Sequence, residues 1–216
     1  MLLERALPGT HELVLEFARR YAHSSGSALE LGAGSGALAE RLQGAGFRVL
    51  AADTDVDAFR GKTEFVRLDL DAHGFHQSLC TTYDVITSVE VIEHLQSPIA
   101  FLTSIRSLLK EDGVAIITTP NVENLPARLK FLWGGKIRAV DAAAPEHITP
   151  IFYDLFVRQY LPKAGLRLVA YQVHPKNDYP LTGRRWVVPF FLAGARLMRQ
   201  PRLRGDCHVF ILKHKG

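Results

Sequence analysis

Apolar and polar positions along the chain fall into blocks whose period switches repeatedly between that of a helix and that of a buried strand. Residues 10–23 repeat apolar side chains at helical spacing, and a short, mainly apolar run follows at Ala28–Leu31, interrupted by Glu30. From about Gly36 the pattern is amphipathic again, until Gly44 and Gly46 end it. Strands are predicted at FRVLAAD (47–53), EFVRLD (64–69) and YDVITSV (83–89), then a helix from Pro98 to Lys110. Asp112–Gly113 reads as a turn and GVAIITT (113–119) as the fifth strand. Prolines and glycines interrupt 120–150, an excursion from the sheet edge with a short helix near Ala127–Leu132. A helix over Asp154–Ala164, ended by Gly165, leads into GLRLVAYQV (165–173). A second irregular stretch, 174–205, holds a helix near 189–199, and CHVFILK (207–213) is the last strand. Helices that alternate with strands across short gaps predict an α/β fold whose parallel sheet is covered on both faces.

Composition excludes several classes. A chain of 216 residues with 47% hydrophobic and 22% charged residues is a globular protein with one full core, read as a single domain over 1–216. Its two cysteines, Cys80 and Cys207, lie far apart and form no ligand pair, so a reduced, cytoplasmic setting is expected. The N-terminal segment (1–25) carries Glu4, His11, Glu12 and Glu16 and lacks a basic start, so it is no secretory signal. Charge is uneven: Arg184–Gly216 holds eight Lys or Arg against Asp206 alone, and the remainder is net acidic. Such a basic end suits an anionic partner or is simply a solvated face.

The loop Gly32-Ala33-Gly34-Ser35-Gly36-Ala37 satisfies the G-x-G-x-x-G/A fingerprint of dinucleotide sites, and Asp53 ends the second strand where a ribose-binding acid would stand. Three details point away from a dinucleotide. Glu30, two residues before the first glycine, would lie beside the ligand, where a carboxylate repels a pyrophosphate and attracts an ammonium. Gly36 extends the glycine alternation, so the backbone can approach the ligand over a longer arc. The third strand also ends in an acid, Asp69-Leu70, suited to an adenine amino group. Together these suggest a ligand with an ammonium, a ribose, an adenine and no phosphate, a description that S-adenosylmethionine fits. A nicotinamide dehydrogenase is the weaker alternative.

With those residues in place, the chain resembles the class I S-adenosylmethionine-dependent methyltransferases and is similar to the ubiquinone-biosynthesis O-methyltransferases among them. The matching stretches are ELGAGSG (30–36), Asp53, Asp69-Leu70, YDVITSVEVIEHL (83–95) and LLKEDGVAIITTPN (108–121), within about residues 20–175. The resemblance implies a doubly wound Rossmann-like sheet of about seven strands, the last antiparallel, with a cofactor-binding half over 26–119. By position it implies that Glu30 faces the methionine ammonium and that Gly32, Ala33, Gly34 and Gly36 line the methionine and ribose. Asp53 would take the ribose hydroxyls, with Thr54 beside the adenine. Asp69 and Leu70 would bind the adenine edge, and Ser88, Val89 and Glu90 would pass under the sulfonium. The product would be S-adenosylhomocysteine. The plain alternative for Asp53 and Asp69 is that each caps a turn after its strand.

Glu90-Val-Ile-Glu93-His94-Leu sits at the carboxyl end of the fourth strand, where doubly wound sheets bind ligands. A helical turn starting there would put Glu90, Glu93 and His94 on one side, with Val91, Ile92 and Leu95 toward the core. Two carboxylates and an imidazole on one face make a general base with its orienting partners, or part of a metal site. The E-x-x-E-H-L pattern, TTPN (118–121) and a histidine in PEHITP (His147) are also similar to small-RNA 3′-end 2′-O-methyltransferases. That similarity implies Glu90, Glu93, His94 and His147 as ligands of a divalent metal. The chain departs from those enzymes after His147, where ITPIFYDLF replaces a tryptophan-containing continuation. The expected catalytic groups are His94, His147 and Glu90; His94 as a turn cap and His147 as a loop histidine are the plainer readings.

Substrate choice, the resemblance implies, comes from the N-terminal helix and the insertions 120–150 and 174–205. In RRWVVPFFLAGARLMRQPRLR, Trp186, Phe190, Phe191 and Leu192 are expected to pack as core with the arginines solvated; the alternative is a helix lying on a membrane or over a lipid-linked substrate. The leading expectation is methyl transfer to a hydroxyl of a small molecule that is lipid-, glycan- or quinone-like. The alternatives are a metal-assisted RNA 2′-O-methyltransferase and a non-catalytic cofactor-binding partner subunit. Nucleic acid is disfavoured because the basic surplus is modest and no RNA-binding module is attached.

Overall fold

A computed structural model describes residues 2–23, 25–142 and 144–216; Met1 and Ser24, in the N-terminal segment, and Ala143, in the 120–150 excursion, lie outside the described residues. Seven strands form one sheet: β1 Ser27–Leu31, β2 Arg48–Asp53, β3 Glu64–Arg67, β4 Tyr83–Val89, β5 Leu109–Pro120, β6 Leu166–His174 and β7 Cys207–His214. Their spatial order is β3-β2-β1-β4-β5-β7-β6, parallel except for β7, which runs antiparallel to both β5 and β6. The doubly wound, Rossmann-like expectation with an antiparallel last strand holds. Burial explains which strands were plainest as apolar runs. Central β1, β4 and β5 are covered on both faces, whereas edge strand β3 is only half-buried and stops at Arg67, two residues short of Asp69.

Helices α1 Thr10–Tyr21 and α2 Ala37–Gly44 cover one face, with Val14, Phe17, Leu38 and Leu42 against Val49, Val85 and Val209. On the other face α3 Pro98–Leu108 sets Phe101, Leu102 and Ile105 against Leu31, Ile86 and Ile117. Each such side chain contributes about 1.5–3 kcal/mol by leaving water. Ser97 caps α3 by accepting from Ala100 N at 3.4 Å, with Pro98 at the first helical position. Asn124 caps α4 Leu125–Gly134 by accepting from Ala127 N at 2.9 Å, and Gly135 ends it at φ +64°.

Three elements depart from expectation. The helix predicted to Lys110 ends at Leu108, because Leu109 already pairs with Tyr83; the expected Asp112–Gly113 turn is a register shift inside β5. The helix expected over 154–164 is two short α-turns, α5 Tyr153–Leu155 and α6 Leu161–Lys163, joined by a π-helical stretch at Phe156–Tyr160. Helix α7 Val188–Leu197 does not bury the aromatics as expected: Trp186 and Phe190 are each 69% exposed, while Phe191 lies against Tyr179.

Candidate active site

The carboxyl ends of β1, β2 and β4 open into a cavity of about 700 Å³. β1 delivers Glu30 and then turns sharply through the glycines into α2. A Cβ on Gly32 would lie 2.3 Å from Val91 Cγ2 at φ +79°, so this position takes glycine for steric reasons. At Gly34 a Cβ would meet nothing within 4 Å, and its backbone borders the cavity. Asp53, at the end of β2, accepts from Gly34 N at 2.7 Å and from Asp55 N at 3.0 Å; it both caps its turn and faces the cavity. Asp69 does the same, accepting from Asp71 N at 3.0 Å.

Of the residues expected at the site, Glu30, Gly32, Ala33, Gly34, Asp53, Thr54, Asp69, Leu70, Val89, Glu90, His94 and His147 border this cavity. Two do not. Gly36 turns its Cα toward Phe59 and Gly61, and the Ser88 side chain is buried inside the sheet layer. Gly36 therefore serves the loop's turn, and Ser88 reaches no ligand through its side chain.

The cavity wall is strongly acidic. Six carboxylates (Glu30, Asp53, Asp69, Asp71, Glu90 and Glu146) share it with one guanidinium, Arg5, among the described residues. Glu30 is the most constrained of them. It is 3% exposed, its Oε2 has no partner, and burial pushes its carboxyl up to about 8. A buried acid with an orphaned oxygen at the wall of an acidic cavity fits a cationic ligand and opposes a pyrophosphate.

Beyond β4 the geometry differs from the expected helical turn. Glu90 adopts φ +54°, and only Ile92–His94 forms a 3₁₀ turn. Glu90 is half-buried; Thr118 Oγ1 donates to its Oε1 at 3.0 Å and Cys207 Sγ at 3.3 Å, and burial raises its pKa. Glu93 does not sit beside Glu90 on an open face. It is 2% exposed, accepts from Thr119 Oγ1 at 3.0 Å, and leaves Oε1 without a partner. Burial, then the charge of Glu90, holds its carboxyl well above the ordinary range.

His94 and His147 meet although 53 positions separate them, because backbone bonds tie the two segments together. Ile148 N and Thr149 N both donate to Glu93 O at 2.9 Å, and Thr149 Oγ1 donates to Leu95 O at 2.7 Å. The rings pack edge-on with centroids 4.6 Å apart. His94 Nδ1 lies 3.0 Å from Glu146 O, and His147 Nδ1 lies 2.6 Å from Ala139 O. A carbonyl only accepts, so each Nδ1 carries a hydrogen and Nε2 is the ring nitrogen left for other partners; His147 Nε2 lies 3.9 Å from Glu146 Oε1. One donor atom from each of Glu93, His94 and His147 lies within 4.8 Å of the others. Glu90 is not in this cluster, so the four-ligand set implied by the RNA enzymes is reduced to three.

The N-terminal helix was expected to shape substrate choice, and the segment that precedes it, not read as part of the site, joins it there. Leu3, Arg5, Ala6 and His11 border the cavity; Leu3 O accepts from Ser35 Oγ at 2.7 Å, and Glu4 pairs with Arg41. No periodicity in MLLERALPG signals this, since an ion pair to α2 holds the segment in place.

A family model described as a methyltransferase domain matches residues 4–171. The chain belongs to this family. The cavity chemistry and the strand order agree with it, and the protein is a class I S-adenosylmethionine-dependent methyltransferase. The chain is 34% identical over 105 residues to the ubiquinone biosynthesis O-methyltransferase of Glaesserella parasuis, covering 43% of this chain and 44% of that protein. It is 32% identical over 112 residues to the mitochondrial enzyme of that name from Schizosaccharomyces pombe, covering 48% of this chain and 41% of that one. The matches thus span less than half the length of these curated relatives. Among solved structures, a SAM-dependent methyltransferase from Archaeoglobus fulgidus superposes with TM-score 0.64 at 20% identity over 94% of both chains. Magnesium protoporphyrin IX methyltransferase from Synechocystis PCC 6803, with bound SAH, gives TM-score 0.58 at 16% identity over 94% of this chain and 81% of its own. At such identities these two structures speak for the fold. Among the described residues, no helix is long and apolar enough to cross a membrane.

Proposed function

We propose that this methyltransferase methylates a hydroxyl oxygen on a small, quinone-like or otherwise hydroxylated acceptor, with His94 and His147 as the groups that handle its proton. The observation that supports this reading is the pair of imidazoles at the cavity wall, each with its Nδ1 hydrogen committed to a carbonyl, which leaves Nε2 as the nitrogen that takes a proton. A hydroxyl is a poor nucleophile until a base takes its proton, whereas a neutral amine needs only alignment. Similarity to O-methyltransferases over part of the chain favours the same acceptor atom.

Bound S-adenosylmethionine supplies a methyl on a sulfonium that is displaced in line, with S-adenosylhomocysteine as leaving group. The roles of this chain's residues follow from position. Glu30 gives up its proton and holds the ammonium; Asp53 offers the carboxylate face left over from its two backbone bonds to the ribose; Asp69 and Leu70 border the adenine. Arg5 offers the cation for the methionine carboxylate. His94 or His147 accepts the acceptor's proton at Nε2 as the oxygen–carbon bond forms and the sulfur–carbon bond breaks. Glu90, held by Thr118 and Cys207, walls the space beneath the transferring group.

A metal-assisted version is favoured by one specific observation, the proximity of Glu93, His94 and His147 donor atoms. Glu93 Oε1 and the two Nε2 atoms would hold a divalent cation, with the Nδ1–H bonds to backbone as its outer shell, and the cation would lower the pKa of a bound hydroxyl. Formation of S-adenosylhomocysteine across a panel of catechols, hydroxylated quinols and 3′-hydroxyl RNA oligomers tests the reading, with and without chelator. Turnover on the small phenols that His94→Ala and His147→Ala slow, with S-adenosylmethionine affinity unchanged, is the expected result. Turnover on RNA alone would replace it.

A further inference from the structure

Helix α7 and the 3₁₀ turn before it present their apolar side to water. Trp186, Phe190, Ala193 and Leu197 follow one another at spacings of four, three and four residues, which aligns them along one face. All four are exposed, with Trp186 and Phe190 at 69% and Leu197 at 85%. The helix is attached to the body by its opposite side, through Val188, Ala195 and the Phe191 contact with Tyr179. Helix α4 packs against it with Leu125 at Gly194, and the end of α4 is exposed too: Leu132 at 78% and Trp133 at 86%. An amphipathic surface helix normally hides such a stripe.

Charge selects what covers it. Residues 182–205 contain six arginines and no acid. Arg202 and Arg185 pair with Asp154 and Asp178, but Arg184 and Arg199 are exposed and make no ion pair among the described residues. Arg196 donates to Asn177 Oδ1 at 3.3 Å and makes no ion pair among the described residues. In a two-fold dimer through this face, the arginines would confront their own copies with no acid in the stretch to answer them. A phospholipid surface of negative charge offers both things the stripe lacks, an apolar layer for the rings and phosphates for the arginines.

We propose that α7 docks the protein in the plane of an anionic phospholipid bilayer, with Trp186, Phe190 and Leu197 at the acyl boundary and Arg184, Arg196 and Arg199 among the headgroups. This stands apart from the identity of the methyl acceptor. The chain has two tryptophans, Trp133 and Trp186, and both belong to the exposed surface, so intrinsic fluorescence reports docking directly. The test is co-sedimentation of the full chain with phosphatidylcholine vesicles and with vesicles containing about one-third phosphatidylglycerol, with emission spectra recorded in parallel. Binding to the anionic vesicles with a blue shift, reversed by salt, is expected. Arg184→Gln and Arg199→Gln should each weaken it about fivefold. Phe190→Asp with Leu197→Asp should abolish it while S-adenosylmethionine binding, measured by calorimetry, is unchanged; both side chains lie outside the core, so the fold persists. The proposal is overturned by absence of binding to the anionic vesicles, or by undiminished binding of the double variant. A blue shift that survives Trp186→Phe in full, or a dimer by light scattering that the double variant dissolves, also overturns it.

Discussion

Replacing Glu30 by glutamine should stabilise the ligand-free protein at neutral pH while weakening its hold on S-adenosylmethionine. Burial lifts the Glu30 carboxyl to about 8 in the folded chain, against an ordinary 4.5 when unfolded. The folded form therefore keeps a proton that the unfolded form releases. The stability this group contributes is complete below about pH 4.5 and is lost as pH rises toward 8. At 1.36 kcal/mol per unit, the loss reaches roughly 3 kcal/mol by pH 7. Glutamine fills the same space and does not ionise, so its curve lacks this slope. Urea unfolding of ligand-free wild type and Glu30→Gln, followed by circular dichroism between pH 4.5 and pH 7, reads the difference. The variant should gain roughly 3 kcal/mol on the wild type across that window. Parallel curves would refute the argument, because they would mean that Glu30 is either solvated or paired in the empty protein.

The same carboxyl predicts a proton released on binding. If the ligand's ammonium holds Glu30 ionised, most of one proton should leave per S-adenosylmethionine bound at pH 7, seen by calorimetry in buffers of different ionisation enthalpy and absent in Glu30→Gln. Gly32→Ala should cost about 2–4 kcal/mol of stability in denaturant unfolding, from the overlap with Val91 and the positive φ, and Val91→Ala should restore part of it. Gly34→Ala should cost about 1 kcal/mol of stability yet impair S-adenosylmethionine binding, since its methyl projects into open space at the cavity wall. Arg138→Leu, which strips a buried partner from Asp206 (2.8 Å), should destabilise by about 3 kcal/mol in the same assay.

Why some of this was legible and some was not has physical reasons. Strands covered on both faces carry apolar runs, such as VAII (114–117) in β5, and buried turns need glycine, so the cofactor loop was plain in one dimension. Asp53 was visible because it closes a strand, and Asp69 because it follows one by two residues. Glu90 borders the cavity as expected, but the helical turn expected to start there does not form: its φ is positive, and its carboxyl is bonded to Thr118 and Cys207, neither of them near it in sequence. Glu93 was placed on an open face because spacing carries no information about which side of a 3₁₀ turn meets Thr119. The meeting of His94 with His147 depends on backbone bonds from 148 and 149 to Glu93, and the N-terminal cover depends on Glu4 and Arg41. Trp186 and Phe190 were expected inside because aromatics usually are; the position of α7 on its Val188–Ala195 side reverses that.

Methyl transfer to oxygen is the central claim, and its most direct test is product analysis with methyl-labelled S-adenosylmethionine and a panel of hydroxylated phenols and quinols. Mass spectrometry should find the label on a hydroxyl oxygen, with the yield falling sharply in His94→Ala and His147→Ala although cofactor binding is retained. Label recovered on nitrogen or carbon, or oxygen methylation that both histidine variants leave undiminished, would contradict the account.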